Sequence, residues 1–298
     1  MEVAKTGFMD DLSASQLEIL KKVREFVDST GHGQEVRWSD WNLLRFCRAR
    51  KFDLQKILLM IQNYMKWFYN GFQNVGEIDV SKYKKLRELY RHGYYNTDKF
   101  GNPVYIQCAG KTDAEQIFAN FTDEELTQYW IQSYERLLHV MMPECSRVAG
   151  KRVEQNCSIM DLKDASLFSL FVGKVKAFTN LTIQIGQDYY PEIMHSMYII
   201  NAGFLFSGIW KMVKPMVDVR TQEKVKIISG SGTKELLERI PAANLPRFLG
   251  GQSDVPLSED PGPWAEELNK SKANKVLTHS DSQLMVKYYP PVLLPPPQ

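Results

Sequence analysis

Residues 196–228, SMYIINAGFLFSGIWKMVKPMVDVRTQEKVKII, decide how the rest of the chain is read. Met197–Ile200 is an apolar run of strand length, and Val225–Ile228 is another. Between them Phe204, Phe206, Ile209, Trp210, Met212, Val213 and Met216 crowd a segment of fourteen residues, Phe204–Val217. If that segment is helical, apolar side chains go most of the way round it, and no polar face remains for water. Fourteen residues are too few to span a bilayer. The segment is therefore either a buried core helix or a flap over a large apolar cavity. Lys211, Lys214, Arg220, Lys224 and Lys226 stand in or after it against only Asp218 and Glu223. Apolar surface with a basic rim suits contact with an anionic membrane surface. Lysines solvated beside an ordinary core helix are the plainer reading of the same residues.

Working outward, strands alternate with helices from residue 100 to residue 240. Val104–Gln107 and Cys157–Met160 read as strands, and each connection is long enough to hold a helix, so a mainly parallel sheet is predicted. Thr122 and Glu125 form a capping box for a helix that the pattern carries up to Pro143. Helices are also predicted over 166–185 and 234–240, and over the basic stretch Ser81–Arg91 as an exposed one. Residues 13–70 read as a helical bundle. Ser13 and Gln16 form a capping box, Ser39 and Asp53 are candidate N-caps, and Leu17, Leu20, Val23 and Val27 repeat at helical spacing. Periodicity fades after about residue 255, and 290–297 is proline-rich, so an extended tail is expected. The predicted division is a helical domain over 1–75, an α/β domain over 76–255 and a C-terminal extension over 256–298.

Composition narrows the classes of function. A 44% hydrophobic and 24% charged chain of 298 residues is ordinary for a globular protein with a sizeable core. A net charge of +2 argues against nucleic acid as a partner. Cys47, Cys108, Cys145 and Cys157 lack metal-site spacing and read as free thiols in a reducing compartment. The opening MEVAKTGFMDDL has no secretory h-region, so a cytoplasmic protein with peripheral membrane contact is expected.

Catalytic patterns are sparse. There is no GxSxG elbow and no HExxH, and the five histidines are dispersed. Gly230–Lys234 follows a strand and precedes a helix, so an anion could sit there, but it is not a P-loop. A small-molecule enzyme using that loop is the alternative from another class. No metal or cofactor is implied.

Three blocks carry a resemblance. The first is Leu44–Asp53 (LRFCRARKFD). The second runs from Pro143–Arg147 to Cys157–Lys163. The third runs from Tyr189–Glu192 through Tyr198–Ala202 and Lys214-Pro215 to Ile240–Pro246. In family order over roughly residues 10–255, they resemble the CRAL-TRIO family, in its phosphatidylinositol/phosphatidylcholine transfer branch. The resemblance implies a helical N-terminal bundle plus an α/β lipid-binding domain, whose mainly parallel sheet floors a hydrophobic pocket for one phospholipid. Phe204–Val217 falls where that family has a mobile gate. The resemblance implies an inositol headgroup site at Arg50, Glu192, Thr221 and Lys224, with Lys51 as a supporting partner of Glu192. Cations for the phosphate and hydroxyl or carboxylate groups for the ring hydroxyls suit that headgroup. A second headgroup site for a choline lipid is implied at Tyr95, Tyr105, Tyr134, Asn156 and Ser158, aromatic faces suiting a quaternary ammonium. Asn156 stands where that pattern has Ser, which leaves the second lipid open. A monomer that exchanges phospholipid at a membrane surface, without covalent chemistry, is the implied activity. A carrier of another hydrophobic ligand remains the alternative within the family. Service to lipid kinases and a Golgi or endosomal location are implied by the resemblance alone.

Overall fold

Ser13 opens the first helix as its sequence requires. Its side chain accepts from the backbone of Gln16, and the Gln16 side chain accepts from the backbone of Ser13. This description comes from a computed structural model and covers residues 6–72, 80–165, 173–203, 206, 208, 210–211, 214–217 and 219–266. The chain divides into two compact units, the first holding residues 6–72 with Gln184–Glu192, the second holding 80–183 and 193–266.

In the first unit, α1 (Ala14–Ser29), α2 (Asp40–Ala49) and α3 (Leu54–Trp67) pack through their apolar stripes. Leu20, Val23 and Val27 meet Leu43, Leu44 and Phe46 of α2 and Ile57 and Ile61 of α3. Asp53 caps α3 by accepting from Lys56 N–H. Ser39 occupies the N-cap of α2, but its side chain makes no capping bond.

The second unit is built on five strands in sequential order: β1 (Tyr90–Thr97), β2 (Pro103–Thr112), β3 (Asn156–Asp161), β4 (Met194–Ile200) and β5 (Val225–Ile227). β1 and β2 form an antiparallel hairpin, and the other pairs are parallel. Parallel steps taken in one direction place right-handed crossovers on one face of a sheet. That face carries α4 (Val80–Leu89), α5 (Ala114–Asn120) and α6 (Asp123–Arg136), packed through Leu86, Ile117, Phe121, Leu126 and Trp130 onto Tyr90 and Tyr105. Further along it, Phe206 and Trp210 meet Met160, Met197 and Ile199. The other face buries Val104, Ile106, Ile159 and Ile200 beneath Leu236, Ile240, Leu245 and Leu257, from the helix Thr233–Arg239 and the loops after it.

Three readings change. Pro143 does not end the helix begun at Thr122. After α6 the backbone makes a π turn over Leu137–Met141, in which Met142 N–H bonds Leu137 C=O, and α7 (Met142–Ala149) follows with Pro143 in its first turn. The wide turn absorbs the proline's missing donor and its bulk. The basic helix ends at Leu89, and Tyr90 and Arg91 belong to β1. Folded chain also continues past 255. Trp264 is fully buried, its indole N–H bonds Asp260 C=O at 2.8 Å, and Asp260 pairs with Arg87 at 2.6 Å. The helix expected over 166–185 is described from Gly173, as α8 (Gly173–Asp188). The proline-rich stretch 290–297 lies outside the described residues.

Candidate functional site

Alternation along the strands sorts side chains by face. One row crosses the whole sheet in register: Tyr94 opposite Tyr105, Tyr105 beside Ser158, Ser158 beside Met197, and Met197 beside Val225. The next row on the same face is His92, Gln107, Met160, Ile199 and Ile227. The β1–β3 end of this face is thus hydroxyl-, amide- and imidazole-bearing, whereas the β4–β5 end is aliphatic, with Phe206 and Trp210 against it. A surface graded in this way can hold a molecule that is polar at one end and apolar at the other.

The polar end is dense in aromatic rings. His92 is buried, and its ring lies 4.4 Å from Tyr90, 5.8 Å from Tyr105 and 5.4 Å from Tyr129 between centroids. Its two nitrogens meet two phenols, Nδ1 with the Tyr105 hydroxyl at 3.2 Å and Nε2 with the Tyr129 hydroxyl at 2.6 Å. Burial, with a lesser push from the Arg87 cation, holds the imidazole well below its ordinary pKa, so it is neutral. Burial pushes the hydroxyls of Tyr90, Tyr94, Tyr105 and Tyr129 up and out of the physiological range, and that of Tyr134 up to about 12. All of them are neutral hydrogen-bonding groups.

Of the residues predicted for a second headgroup, the structure brings four together. Tyr105 and Ser158 are register neighbours, Asn156 Nδ2 donates to Ser158 Oγ at 3.1 Å, and the Tyr134 ring on α6 lies 6.4 Å from that of Trp130, which is 6.5 Å from that of Tyr105. Tyr95 is not among them. It points to the opposite face, is wholly buried with Val104 and Ile106, and bonds Ser253 Oγ at 2.6 Å and Val255 C=O at 2.8 Å. Tyr94 holds the place beside Tyr105. The physical cause is register. Strand side chains alternate, so one residue of hairpin length decides which of two adjacent tyrosines faces which way. His92, Tyr94 and Tyr129 were missed. The parity of Tyr90, His92 and Tyr94 was visible in YRHGYYNT, but not which parity faced Tyr105.

The predicted inositol-site residues fall in both units. In the first, Arg50 closes α2, and Lys51 and Phe52 follow in left-handed conformation at φ 51° and 58°. Arg50 lines an open groove of about 730 Å³ with Lys56, Lys66, Asp188 and the stacked rings of Trp67 and Tyr189, 3.8 Å apart. Three cations against one acid favour anions there. The expected Lys51–Glu192 pair is not formed. Glu192 lies 3.8 Å from the Nε of Arg48, which is buried under the ring of Phe8, while the left-handed turn leaves Lys51 exposed. In the second unit, Thr221 lies on the short helix Val219–Glu223, and Lys224 N–H bonds its carbonyl at 3.1 Å. Lys224 C=O in turn accepts from Met197 N–H at 2.9 Å, which ties this turn to β4. Of the predicted gate, Phe206 is buried against Leu162, Ile199 and Ala202, and Trp210 is partly buried beside it. Phe204, Ile209, Met212, Val213 and the side chain of Met216 lie outside the described residues.

Gly230–Lys234 has a structural explanation. Gly232 is left-handed at φ 61°, and a Cβ there would come within 2.7 Å of Ile200 Cγ2, so the glycine permits the helix to close onto β4. The four cysteines are buried and free, and burial raises the Cys108 and Cys157 thiols to about 11, far from reactive thiolates. Among the described residues no cluster of metal-ligating side chains occurs, and no helix is long and apolar enough to cross a membrane.

A helical unit, a sequentially ordered and mainly parallel sheet and a face graded from polar to aliphatic define an α/β protein with one amphipathic sheet face. Residues 88–251 match the CRAL/TRIO domain and residues 18–63 the CRAL/TRIO N-terminal domain, and the chain belongs to the CRAL-TRIO family. The SEC14 cytosolic factor of Kluyveromyces lactis is 39% identical, over 88% of each chain. The Sec14 cytosolic factor of Schizosaccharomyces pombe is 36% identical, over 90% of this chain and 95% of its own. The phosphatidylinositol/phosphatidylcholine transfer protein SFH11 of Arabidopsis thaliana is 29% identical, over 92% of this chain and 74% of its own. Among solved structures, Sfh5 shares the fold with a TM-score of 0.62 at 14% identity, covering 88% of this chain and 98% of Sfh5.

Proposed function

We propose that this chain is a phospholipid exchange protein, which takes one phosphatidylinositol or choline-type phospholipid at a time and moves or presents it between membranes. The observation that carries this reading is the row Tyr94, Tyr105, Ser158, Met197, Val225, which runs from phenols and a hydroxyl to aliphatic side chains on one sheet face. The names of the Sec14 and transfer-protein relatives point the same way. Exchange makes and breaks no covalent bond, so the chain has no need of a nucleophile or a metal. The work lies in withdrawing acyl chains from a bilayer, about 0.8 kcal/mol per methylene, which an apolar wall offsets.

On this reading Arg50, Glu192, Thr221 and Lys224 serve the inositol phosphate, while Tyr94, Tyr105, Tyr134, Asn156 and Ser158 serve the second headgroup. Residues 204–217 form the gate. The chain acts as a monomer, touches membranes peripherally at Golgi or endosomal surfaces, and supplies lipid kinases indirectly. Lipid transfer between vesicles tests the assignment. Lys224→Ala and Arg50→Ala are expected to abolish phosphatidylinositol transfer and to leave phosphatidylcholine transfer largely intact. Equal loss of both would overturn the headgroup assignment. Native mass spectrometry of the purified chain should show a bound phospholipid. A nucleotide would favour an enzyme, and a sterol or retinoid would favour a carrier of another ligand.

A further inference from the structure

We propose that the β1–β2 turn and the last turn of α7 form a docking surface for an anionic phospholipid bilayer, in which Phe100 and Val148 enter the headgroup layer among the exposed cations Lys99, Arg147 and Lys151. This rests on the reading of the chain as an exchange protein, which has to settle on a membrane, and it adds a contact separate from the gate.

Two large apolar side chains stand out of the surface here, Phe100 at 53% and Val148 at 61% exposed. A single exposed apolar residue is ordinary. These two lie on adjoining segments that are held in place. Asp98 accepts from the backbone N–H groups of Phe100 and Asn102 at 2.9 Å each and from Arg239 Nε at 2.7 Å, and Gly101 completes the turn at φ 86°. A Cβ on Gly101 would lie 3.0 Å from Ala149 Cβ, so the turn abuts the end of α7, which Gly150 closes at φ 61°. Side chains presented on a fixed turn and a helix end lose little backbone freedom on docking.

Charge in this region is sorted by depth. Lys99, Arg147 and Lys151 are exposed, and Lys151 Nζ lies 6.0 Å from the centre of the Phe100 ring. The carboxylates beside them are buried against arginines: Asp98 with Arg239 at 2.7 Å, Glu144 with Arg147 at 2.9 Å and Glu154 with Arg152 at 3.9 Å. Glu238 adds one exposed acid at the edge, next to Leu237, whose carbonyl accepts from Lys99. The outer layer is therefore mainly cationic around two apolar side chains, which suits insertion into an anionic lipid surface. Because β2 to β5 run parallel, their first residues mark one end of the sheet. A bilayer docked at Phe100 lies at the end where Asn156 opens β3 and Lys224 precedes β5, both of them proposed headgroup residues.

Co-sedimentation of the full chain with vesicles tests this, using phosphatidylcholine alone and phosphatidylcholine with an equal amount of phosphatidylserine. Binding to the anionic vesicles is expected, and Lys99→Ala and Lys151→Ala should each weaken it about fivefold. Phe100→Ser with Val148→Ser should weaken it about tenfold or more, the worth of about two methylenes withdrawn from water. Phe248→Ser, which removes an exposed aromatic beside Arg91 in the loop after Pro246, should change nothing. Equal loss from Phe248→Ser, or equal binding to both kinds of vesicle, overturns the proposal. Unchanged binding of the double variant also overturns it and would leave the patch to a protein partner. Insertion is read independently of these variants. The four native cysteines are buried, so Val148→Cys can be labelled selectively with a polarity-sensitive dye. Its emission should move to the blue on anionic vesicles, whereas the same dye on Val255→Cys should not respond, and no shift at position 148 refutes insertion. Native mass spectrometry should find as much bound phospholipid in the double variant as in the wild type, and a loss there would assign the effect to the lipid site and overturn the docking role. If the chain docks in this way but moves no phospholipid between vesicles, the exchange reading fails and the docking surface stands. If it moves phospholipid and the double variant docks normally, only the docking surface fails.

Discussion

Lowering the pH should weaken this fold through His92 by an amount that can be worked out in advance. In the unfolded chain the imidazole titrates near 6.5. In the folded chain burial first, and the Arg87 cation second, hold it well below that value. Below pH 6.5 the unfolded state therefore binds a proton that the native state refuses, and stability falls as pH falls. The contribution is fully present above pH 6.5 and is lost downward from there toward the folded value. The slope cannot exceed about 1.4 kcal/mol per pH unit, so between pH 7 and pH 5 the loss is at most about 2 kcal/mol.

The assay is urea unfolding of the wild type and of His92→Gln at half-unit steps from pH 7 to pH 5. Glutamine keeps a hydrogen-bonding group for Tyr129 but takes up no proton. The difference in unfolding free energy between the two proteins should narrow, or reverse, by up to about 2 kcal/mol over that range. Carboxylates elsewhere titrate in both proteins and cancel, as does His195, which burial also depresses. Two stability curves that run parallel from pH 7 to pH 5 would refute the reasoning, since they would mean that native His92 takes up its proton as readily as the unfolded chain does.

Other perturbations have equally definite outcomes. Tyr95→Phe should leave choline-lipid binding in the vesicle assay unchanged and cost about 1 kcal/mol of thermal stability, because its hydroxyl serves Ser253 and Val255 on the other face. Asp260→Asn should cost about 2–3 kcal/mol, because Arg87 is bound through both Asp260 oxygens at 2.6 and 2.8 Å, and Tyr94 N–H also depends on that carboxylate. Hydrogen exchange over 257–264 should rise with it, and unchanged protection there would count against the role of the pair. Gly110→Ala should cost about 2 kcal/mol or more in chemical denaturation, since the added Cβ would lie 1.9 Å from the Lys163 carbonyl oxygen and 2.6 Å from Ala165 N.

What the sequence disclosed and what it hid divide along the range of the forces involved. Ser13 with Gln16, and Thr122 with Glu125, were readable because a cap is made and satisfied within four residues. The alternation of apolar runs was readable for the same reason, and the sequential parallel sheet followed from the length of its crossovers. Trp264 was not readable. It is one aromatic in an aperiodic stretch, and what holds that stretch is an ion pair between Arg87 and Asp260, 173 residues apart. Pro143 misled because its rule is local, whereas the π turn before it is a tertiary accommodation. The pair Tyr94 and Tyr95 shows the limit most sharply. Both residues look alike in a motif, and choosing between them needs the register of β1 on β2. That register is set in the turn, where Asp98 accepts from the backbone N–H groups of Phe100 and Asn102 at 2.9 Å each, and where Thr97 comes to lie opposite Pro103. With that register, Tyr94 and His92 share a wall with Tyr105 and Ser158. Shifted by one residue, Tyr95 and Gly93 would stand there, and the wall would have no imidazole. The hydrogen-bonding character of the candidate second site therefore depends on the register of one hairpin rather than on which residues its motif contains.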